Sequence, residues 1–356
     1  MDHGTVFMRA TQPKETRMNR VRLAGLIASA AITLSSLAAQ AQQSVEDFYK
    51  GHTITMMIGY GAGGTDDVWA RLITKHIGRF IPGKPTVVAT NVPGAGSLLL
   101  ANQVYNTQPK DGTVIGLINR GVPFEPLFGG NGTRFDPQKF NYIGSPDRDT
   151  LVCAARTDAP VKKVEDLLTT EFIVGSTGSG ADSQTYPEFL SNLLGVKMKL
   201  VQGYPGSRDI LLATERGEVQ GGCVSYDTIA RDVMFREKRT FLLFQTALKP
   251  DVRIPDAPMI TQLAKTDEEK ATLRLFLQRT LVGRPFVMAP GVPADRVEAI
   301  RTAFKAALDD PSFQEDAKQA GVNIFYVSPA EISQILTEAY AAPADIVARA
   351  KKAFGR

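Results

Sequence analysis

Three short glycine-rich segments contain the residues best suited to bind a ligand. Each follows an apolar run that predicts a β-strand and precedes a run with helical spacing. A helix N-terminus presents unpaired N–H groups with partial positive charge, and glycine lets an anion approach the backbone closely. In open α/β sheets such turns lie beyond the carboxyl ends of the strands, where ligands bind. The three segments, residues 61–65, 93–97 and 176–180, therefore predict an anion-binding cleft.

The first of these segments does not fit a dinucleotide-binding turn. The G-x-G-x-x-G spacing that starts at Gly61 would require a third glycine where the chain has Asp66. An acidic residue that holds the ribose is expected about 20 residues further on. Residues 82–85 read Pro-Gly-Lys-Pro instead, so we expect no nucleotide cofactor.

The third segment contains Gly178-Ser179-Gly180, which is not the G-x-S-x-G turn of a serine hydrolase. A catalytic triad would also need a histidine beside the serine. After residue 41 the only histidines are His52, which precedes the first strand, and His76, which lies along a helix. The chain has no H-x-H, H-E-x-x-H or C-x-x-C spacing that would predict zinc. We therefore expect no catalytic residues, no metal, no cofactor and no enzymatic activity.

The elements that must position these segments alternate between strands and helices. Apolar runs predict strands at residues 53–59, 86–92, 114–119, 151–155, 172–176, 198–202, 222–225, 241–244, 284–289 and 323–327. Helical spacing lies between them and extends over residues 268–281, 294–308 and 329–340. This alternation predicts an α/β fold with largely parallel sheets. Thr65 or Asp66 is expected to cap the first long helix, and Ser97 the second.

The N-terminus predicts a secretory signal peptide. Arg20 and Arg22 precede an apolar run over residues 23–37, and Ala39-Gln40-Ala41 follows as a small-residue cleavage site. The alternative is a membrane anchor, but a spanning helix needs roughly 20 apolar residues and this run is shorter. We expect export to the periplasm, cleavage after Ala41, and a start of translation at Met1 or Met18.

Charge and length restrict the function of the remaining chain. Residues 1–41 hold five of the 41 basic and two of the 37 acidic residues, which leaves 36 against 35 and a net charge of +1. This balance does not favour nucleic acid as a partner, and no other segment is apolar enough to span a membrane. The remaining 315 residues are more than a single small hydrophobic core usually organises, so we expect two lobes. Residues 42–150 plus 248–356 would form the first lobe, and residues 151–247 the second.

The chain has two cysteines, Cys153 and Cys223. Both lie in apolar, strand-like surroundings that would suit two buried thiols. An even number of cysteines in an oxidising compartment is also compatible with one disulfide. Export favours the disulfide.

Several segments, in order, resemble those of a known family. They are residues 63–71 (GGTDDVWAR), 91–97 (NVPGAGS), 109–113 (PKDGT), 174–180 (VGSTGSG) and 204–207 (YPGS). They are similar to signature segments of the Bug family, the extracytoplasmic substrate-binding receptors of tripartite tricarboxylate transporters. The resemblance covers nearly the whole chain after residue 41, and the ordered set is more specific than any single motif.

This resemblance implies a periplasmic binding protein with a type II-like fold, a ligand cleft between two lobes, and crossing strands as the hinge. It also implies that the lobes close over a small carboxylate, which is then delivered to the membrane subunits of a tripartite transporter. We expect a monomer that does not itself span the membrane. An alternative output, a ligand-loaded receptor for a sensor kinase, stays open because no partner surface carries a recognisable motif.

The resemblance assigns ligand contacts to matching positions in both lobes. Asp67 matches a common aspartate that more plausibly caps the helix or orients water than touches an anion. Tyr204 could line the pocket from the second lobe. The backbone positions assigned to the ligand are Gly63, Gly64, Thr65, Gly94, Ala95, Gly96 and Ser97, with Thr177, Gly178, Ser179 and Gly180 opposite them.

The chain also departs from the family pattern. Arg120 stands where small polar residues are frequent, and we hypothesise that it makes a charge-assisted contact with a ligand carboxylate. The alternative is an exposed or structurally paired arginine. Tyr226 could line the pocket as well, whereas the position of Trp69 on the apolar stripe of its helix favours core packing.

Overall fold

In the part of the chain that the structure describes, ten strands form two five-stranded sheets. The computed structural model describes residues 1–5, 43–178 and 180–356. The predicted apolar run and cleavage site of the signal peptide, Met18 and Ser179 lie outside the described residues. Val45–Arg356 form one unit, which contains every helix and strand described. No helix of the described ranges is long and apolar enough to cross a membrane.

The strands are β1 (Thr53–Ile58), β2 (Thr86–Asn91), β3 (Val114–Leu117), β4 (Asn141–Gly144), β5 (Leu151–Arg156), β6 (Phe172–Ser176), β7 (Met198–Gln202), β8 (Gly221–Ser225), β9 (Thr240–Thr246) and β10 (Phe286–Met288). The first sheet has the order β2-β1-β3-β10-β4, and the second has the order β7-β6-β8-β5-β9. Ile54, Met56 and Ile58 of β1 are buried at the centre of the first sheet, as the apolar run predicts.

The prediction of largely parallel sheets holds for only three strands of each sheet. β1 pairs in parallel with β2 and β3, and β6 pairs in parallel with β7 and β8. β10 is antiparallel to both of its neighbours, and so is β5. Two parallel neighbours in one sheet are normally connected by a crossover helix. β5 instead follows directly from β4, which belongs to the other sheet, so no crossover helix precedes it.

The helices are α1 (Val45–Tyr49), α2 (Thr65–Ile77), α3 (Leu98–Asn106), α4 (Asp182–Leu194), α5 (Ser207–Arg216), α6 (Tyr226–Arg231), α7 (Val233–Arg236), α8 (Asp267–Leu277), α9 (Arg279–Val282), α10 (Ala294–Asp309), α11 (Pro311–Gln319), α12 (Pro329–Tyr340) and α13 (Ala344–Ala353). Trp69 of α2 is fully buried against Phe313 of α11, which confirms its place in the core. The predicted strand at residues 323–327 is wrong. Only Val327 pairs, through an isolated bridge with Ser145, because β4 ends at Gly144 and offers no partner strand.

The chain crosses between the sheets twice, from β4 to β5 and again after β9. The first sheet contains the strands from residues 53–144 and 286–288, and the second contains those from residues 151–246. The result is a two-lobe α/β arrangement. The boundaries of the lobes at residues 150 and 248 stay a prediction.

Candidate ligand-binding cleft

A cavity of about 490 Å³ lies where the N-termini of α2, α4 and α5 converge. Residues 60–66, 181–183 and 205–209 line it, so each of these helices presents its first turn or the loop before it. A volume of this size suits a small organic ligand. The other lining residues are Arg120, Asp149, Leu151, Thr177, Leu212, Cys223, Val224, Ser225, Thr228 and Arg284.

The loop before α2 is held in shape by Asp67. Its carboxylate accepts hydrogen bonds from the Gly63 N–H at 3.0 Å and from the Asn91 amide at 2.8 Å. Asn91 also donates to the Tyr60 carbonyl at 2.9 Å. Asp67 itself does not line the cavity. The Gly63 N–H, which was predicted to bind the ligand, donates its hydrogen bond to Asp67 instead. Gly64 occupies the N-cap position without a side-chain cap, so the predicted capping by Thr65 or Asp66 is wrong.

The second predicted loop, residues 94–97, does not line the cavity. Gly96 has φ +58 and lies directly against the backbone of Gly180, since a Cβ built on Gly96 would be 2.1 Å from the Gly180 carbonyl oxygen. The two loops therefore touch where the resemblance places a ligand carboxylate. Ser97 occupies the N-cap position of α3 as predicted, but its hydroxyl is buried beside Gly59 and has no hydrogen-bond partner among the described residues, so the side chain does not cap the helix.

The second sheet contributes Thr177 to the cavity, whereas Gly178, Gly180 and Tyr204 do not line it. The Thr177 N–H donates to the Ser183 hydroxyl at 3.0 Å, which ties the end of β6 to the first turn of α4. Tyr204 packs on Gly175, and its hydroxyl lies 3.5 Å from a carboxylate oxygen of Glu218. Tyr226 does not line the cavity either, because the guanidinium of Arg253 covers its ring at 4.8 Å.

Arg120 is buried and fully engaged at the base of the cavity. Its Nε donates to Asp182 at 2.8 Å, Nη1 to the Asp149 carbonyl at 2.7 Å, and Nη2 to the Asp149 carboxylate at 2.9 Å. The structure therefore places Arg120 in the structurally paired arrangement, because each of its nitrogens already has a partner. Arg120 lines the cavity, but its guanidinium is already paired with protein oxygens.

Arg284 forms the second half of the same ionic network. It pairs with Asp147, with Asp149 at 2.9 Å, and through Nε with Asp66 at 3.2 Å. Asp149 thus lies between two guanidiniums and also accepts from the Ser225 hydroxyl at 2.7 Å. The carboxylates of Asp66, Asp147, Asp149 and Asp182 thus share the two guanidiniums of Arg120 and Arg284.

The network holds more carboxylates than guanidiniums, and this imbalance shifts the pKa values of its aspartates. Burial raises the pKa of Asp66, and Asp149 and Asp182 raise it further, although Arg284 and Arg120 act in the opposite direction. Burial likewise raises the pKa of Asp147 to about 7, against the effect of Arg284. Burial also disfavours the charge on Asp149, but Arg284 and Arg120 outweigh it and lower the pKa of that carboxyl.

Arg208 is the cation that sequence reasoning missed. It lies in the first turn of α5, is exposed, and lines the cavity. Among the described residues it forms no ion pair or side-chain hydrogen bond, in contrast to Arg120 and Arg284. Its position directly after Gly206-Ser207, between the predicted strands at residues 198–202 and 222–225, was the signal in the sequence that could have identified it.

Cys153 and Cys223 lie opposite each other in the antiparallel pair of β5 and β8, and a disulfide joins them. Both are fully buried, and Cys223 forms part of the cavity wall. Within the described ranges, no group of three or more histidine, cysteine or acidic residues is arranged to hold a metal ion.

Two α/β sheets joined by two chain crossings, with helix N-termini around a cavity between them, define a two-lobe solute-binding protein. Residues 71–351 match the model of a family described as "Tripartite tricarboxylate transporter family receptor", and the chain belongs to this family. The family consists of binding receptors and not of enzymes.

Known relatives agree with this assignment. The chain is 26% identical to the UPF0065 protein in gbd 5'region of Cupriavidus necator over 332 residues, which cover 90% of this chain and 94% of that protein. The structure of the periplasmic binding protein BugD is similar at a TM-score of 0.67 and 22% identity, over 86% of this chain and 98% of BugD. MatC from Rhodopseudomonas palustris with bound malate is similar at a TM-score of 0.65 and 21% identity, over 83% and 99%. The predicted family and two-lobe fold are confirmed.

Proposed function

We propose that this protein captures a small carboxylate in the cavity between its lobes, in the periplasm, and delivers it to the membrane subunits of a tripartite transporter. The observation that carries the proposal is Arg208, whose guanidinium has no ion pair within the described ranges and lines a cavity of about 490 Å³ at the N-terminus of α5. A guanidinium and backbone N–H groups of one helix end can bind a carboxylate together. The malate bound in MatC supports the same ligand chemistry.

Closure of the lobes is the proposed mechanism, with rotation about the strands near Leu151 and Phe244. Three contacts across the cleft support a closed form: the Gly96 and Gly180 backbones, the Arg120–Asp182 ion pair, and the Thr65 and Thr228 hydroxyls at 2.7 Å. Closure would bury the ligand, which strengthens its charged hydrogen bonds.

Isothermal titration calorimetry with malate, succinate, adipate, citrate and benzoate tests the proposal. We expect at least one of these acids to bind with 1:1 stoichiometry and to raise the melting temperature by mass action. If neither these acids nor amino acids, which also carry a carboxylate, bind to the protein, the proposal that the cavity takes a small carboxylate is contradicted.

Replacing Arg208 with alanine is expected to weaken binding of the best acid by about 10- to 100-fold, because a charged hydrogen bond is lost. Arg216→Ala is the matched control, since Arg216 lies in the last turn of the same helix with a side chain that is 69% exposed. The control is expected to bind like the wild type. Equal affinities for wild type and Arg208→Ala would remove Arg208 from the proposed site.

Gly96→Ala is expected to hinder closure and to weaken binding by about 10- to 100-fold, because the new Cβ would overlap the Gly180 carbonyl. Gly195→Ala is the control. Its φ of +72 imposes similar backbone strain, but its Cβ would meet nothing within 4 Å. Small-angle scattering with saturating acid should show compaction for wild type and for Gly195→Ala only. Full compaction of Gly96→Ala would argue against closure through this contact.

A further inference from the structure

Each of the three longer helices whose N-terminus lines the cavity carries an aspartate in its first turn. These are Asp66 of α2, Asp182 of α4 and Asp209 of α5, and all three line the cavity. An acidic side chain at this position neutralises the partial positive charge of the helix end. The helix N-termini alone therefore attract an anion less than the sequence pattern predicts.

The fixed charges at the cavity base are negative in sum. Asp66, Asp147, Asp149 and Asp182 share the guanidiniums of Arg120 and Arg284, which leaves two negative charges when all groups are ionised. The neighbouring arginines leave this sum unchanged. Arg253 pairs with both Asp227 and Asp251, which adds one negative charge, and Arg231, which donates to the neutral oxygens of Thr65 and Ala320, adds one positive charge.

Asp66 and Asp182 line the cavity from opposite sides of the cleft, whereas Asp209 lines it beside Arg208 in the first turn of α5. Asp66 belongs to the first lobe, and 27% of its side chain is exposed. Asp182 belongs to the second lobe and is 13% exposed, with its other oxygen 3.3 Å from the Asn119 amide. Burial raises the pKa of the Tyr60 phenol at this end of the cavity, and the charges of Asp66 and Asp182 raise it further. A negative field thus converges between these two carboxylates.

Arg208 lines the same cavity as Asp66 and Asp182 but forms no ion pair with either aspartate among the described residues. Of the lining residues that the structure describes, Arg208 is a cation without an ion pair, and Asp66 and Asp182 form an acidic pair on opposite sides of the cleft. A ligand that carries only carboxylates would be attracted by Arg208 and repelled by Asp66 and Asp182. A ligand with a carboxylate and a protonated amine matches both.

We propose that the ligand is a zwitterion, an amino acid or a close relative, whose carboxylate binds Arg208 and whose ammonium group lies between Asp66 and Asp182. This inference rests on the proposed function. An ammonium group donates up to three hydrogen bonds, and bonds to ionised carboxylates are among the stronger ones. Asp66 and Asp182 would then select for the amine, and lobe closure would bring them to it together.

Matched pairs of acids that differ only in the amine test this proposal by calorimetry. The pairs are alanine and propionate, aspartate and succinate, glutamate and glutarate, and phenylalanine and 3-phenylpropionate. We expect the tightest ligand to be an amino acid that binds at least about tenfold more tightly than its partner. If the acids without an amine bind equally or more tightly, the zwitterion is ruled out while carboxylate binding stands. If no member of any pair binds, the proposed function fails, and this inference fails with it.

Substitution of the acidic pair gives a second readout within one protein preparation. Asp66→Asn and Asp182→Asn are each expected to reduce the ratio of affinities within the best pair by about tenfold, because the carboxylate partner of the ammonium is lost. The ratio does not depend on how much of the variant is folded. Asp267→Asn is the control, a first-turn aspartate of α8 whose side chain is fully exposed. A ratio that survives both Asp66→Asn and Asp182→Asn would overturn the assignment.

Discussion

Replacing Arg284 with methionine is expected to lower the free energy of unfolding by about 3–5 kcal/mol, because buried carboxylates lose their cation. Arg284 is 3% exposed and pairs with Asp66, Asp147 and Asp149. Methionine preserves much of the side-chain volume, so most of the loss should come from uncompensated charge and not from a void. Equilibrium unfolding in urea measures the change.

The deficit of Arg284→Met should shrink as the pH falls. Without the guanidinium, Asp66 and Asp147 would hold protons in the folded protein at pH values where unfolded aspartate, with a pKa of about 3.9, does not, whereas Asp149 keeps its pair with Arg120. The folded state then binds more protons than the unfolded state, so stability rises as the pH falls from about 8 to 5. Arg216→Met, on the exposed end of α5, is the control and should match the wild type at each pH. A deficit independent of pH would mean that packing and not charge explains the loss.

Removal of the disulfide, in the double variant Cys153→Ala with Cys223→Ala, is expected to cost about 2–4 kcal/mol. The bond joins residues separated by 70 positions, so it excludes many conformations of the unfolded chain. Urea unfolding of the wild type with and without a reductant should show the same loss, while the reductant should leave the double variant unchanged. If the reduced wild type and the double variant both have the same free energy of unfolding as the oxidised wild type, the disulfide does not stabilise the protein.

Where a signal is local, the sequence was sufficient. Helix α12 begins and ends at the predicted residues, 329 and 340, because Pro329 occupies its first turn and Ser328 and Glu331 form a capping box. β6 and β7 also have their predicted bounds, since each is a short apolar run between turns. The predicted strand at 323–327 failed because a strand needs a partner, and that partner is not encoded in the segment itself.

The anion-binding cleft was also predicted from three glycine-rich turns, and here local sequence was only partly sufficient. Residues 61–65 and Thr177 line the cavity, but residues 94–97 do not, and Ala95 and Gly96 pack against Gly180. The same glycines that permit an anion to approach also permit another backbone to approach. Which of the two occurs depends on how the loops meet in space.

The sequence by itself determined the alternating elements, the family, and the glycine-rich turns at the strand ends. Only the tertiary structure decided how the charges are distributed around the cleft. Arg120 meets Asp149 and Asp182, and Arg284 meets Asp66, across 29 to 218 positions of chain. Ion pairing depends on distances of a few ångströms, which no local pattern records. Packing thus placed Arg120, predicted to contact the ligand, in internal ion pairs, and left Arg208 without an ion pair among the described residues of the anion-binding cleft.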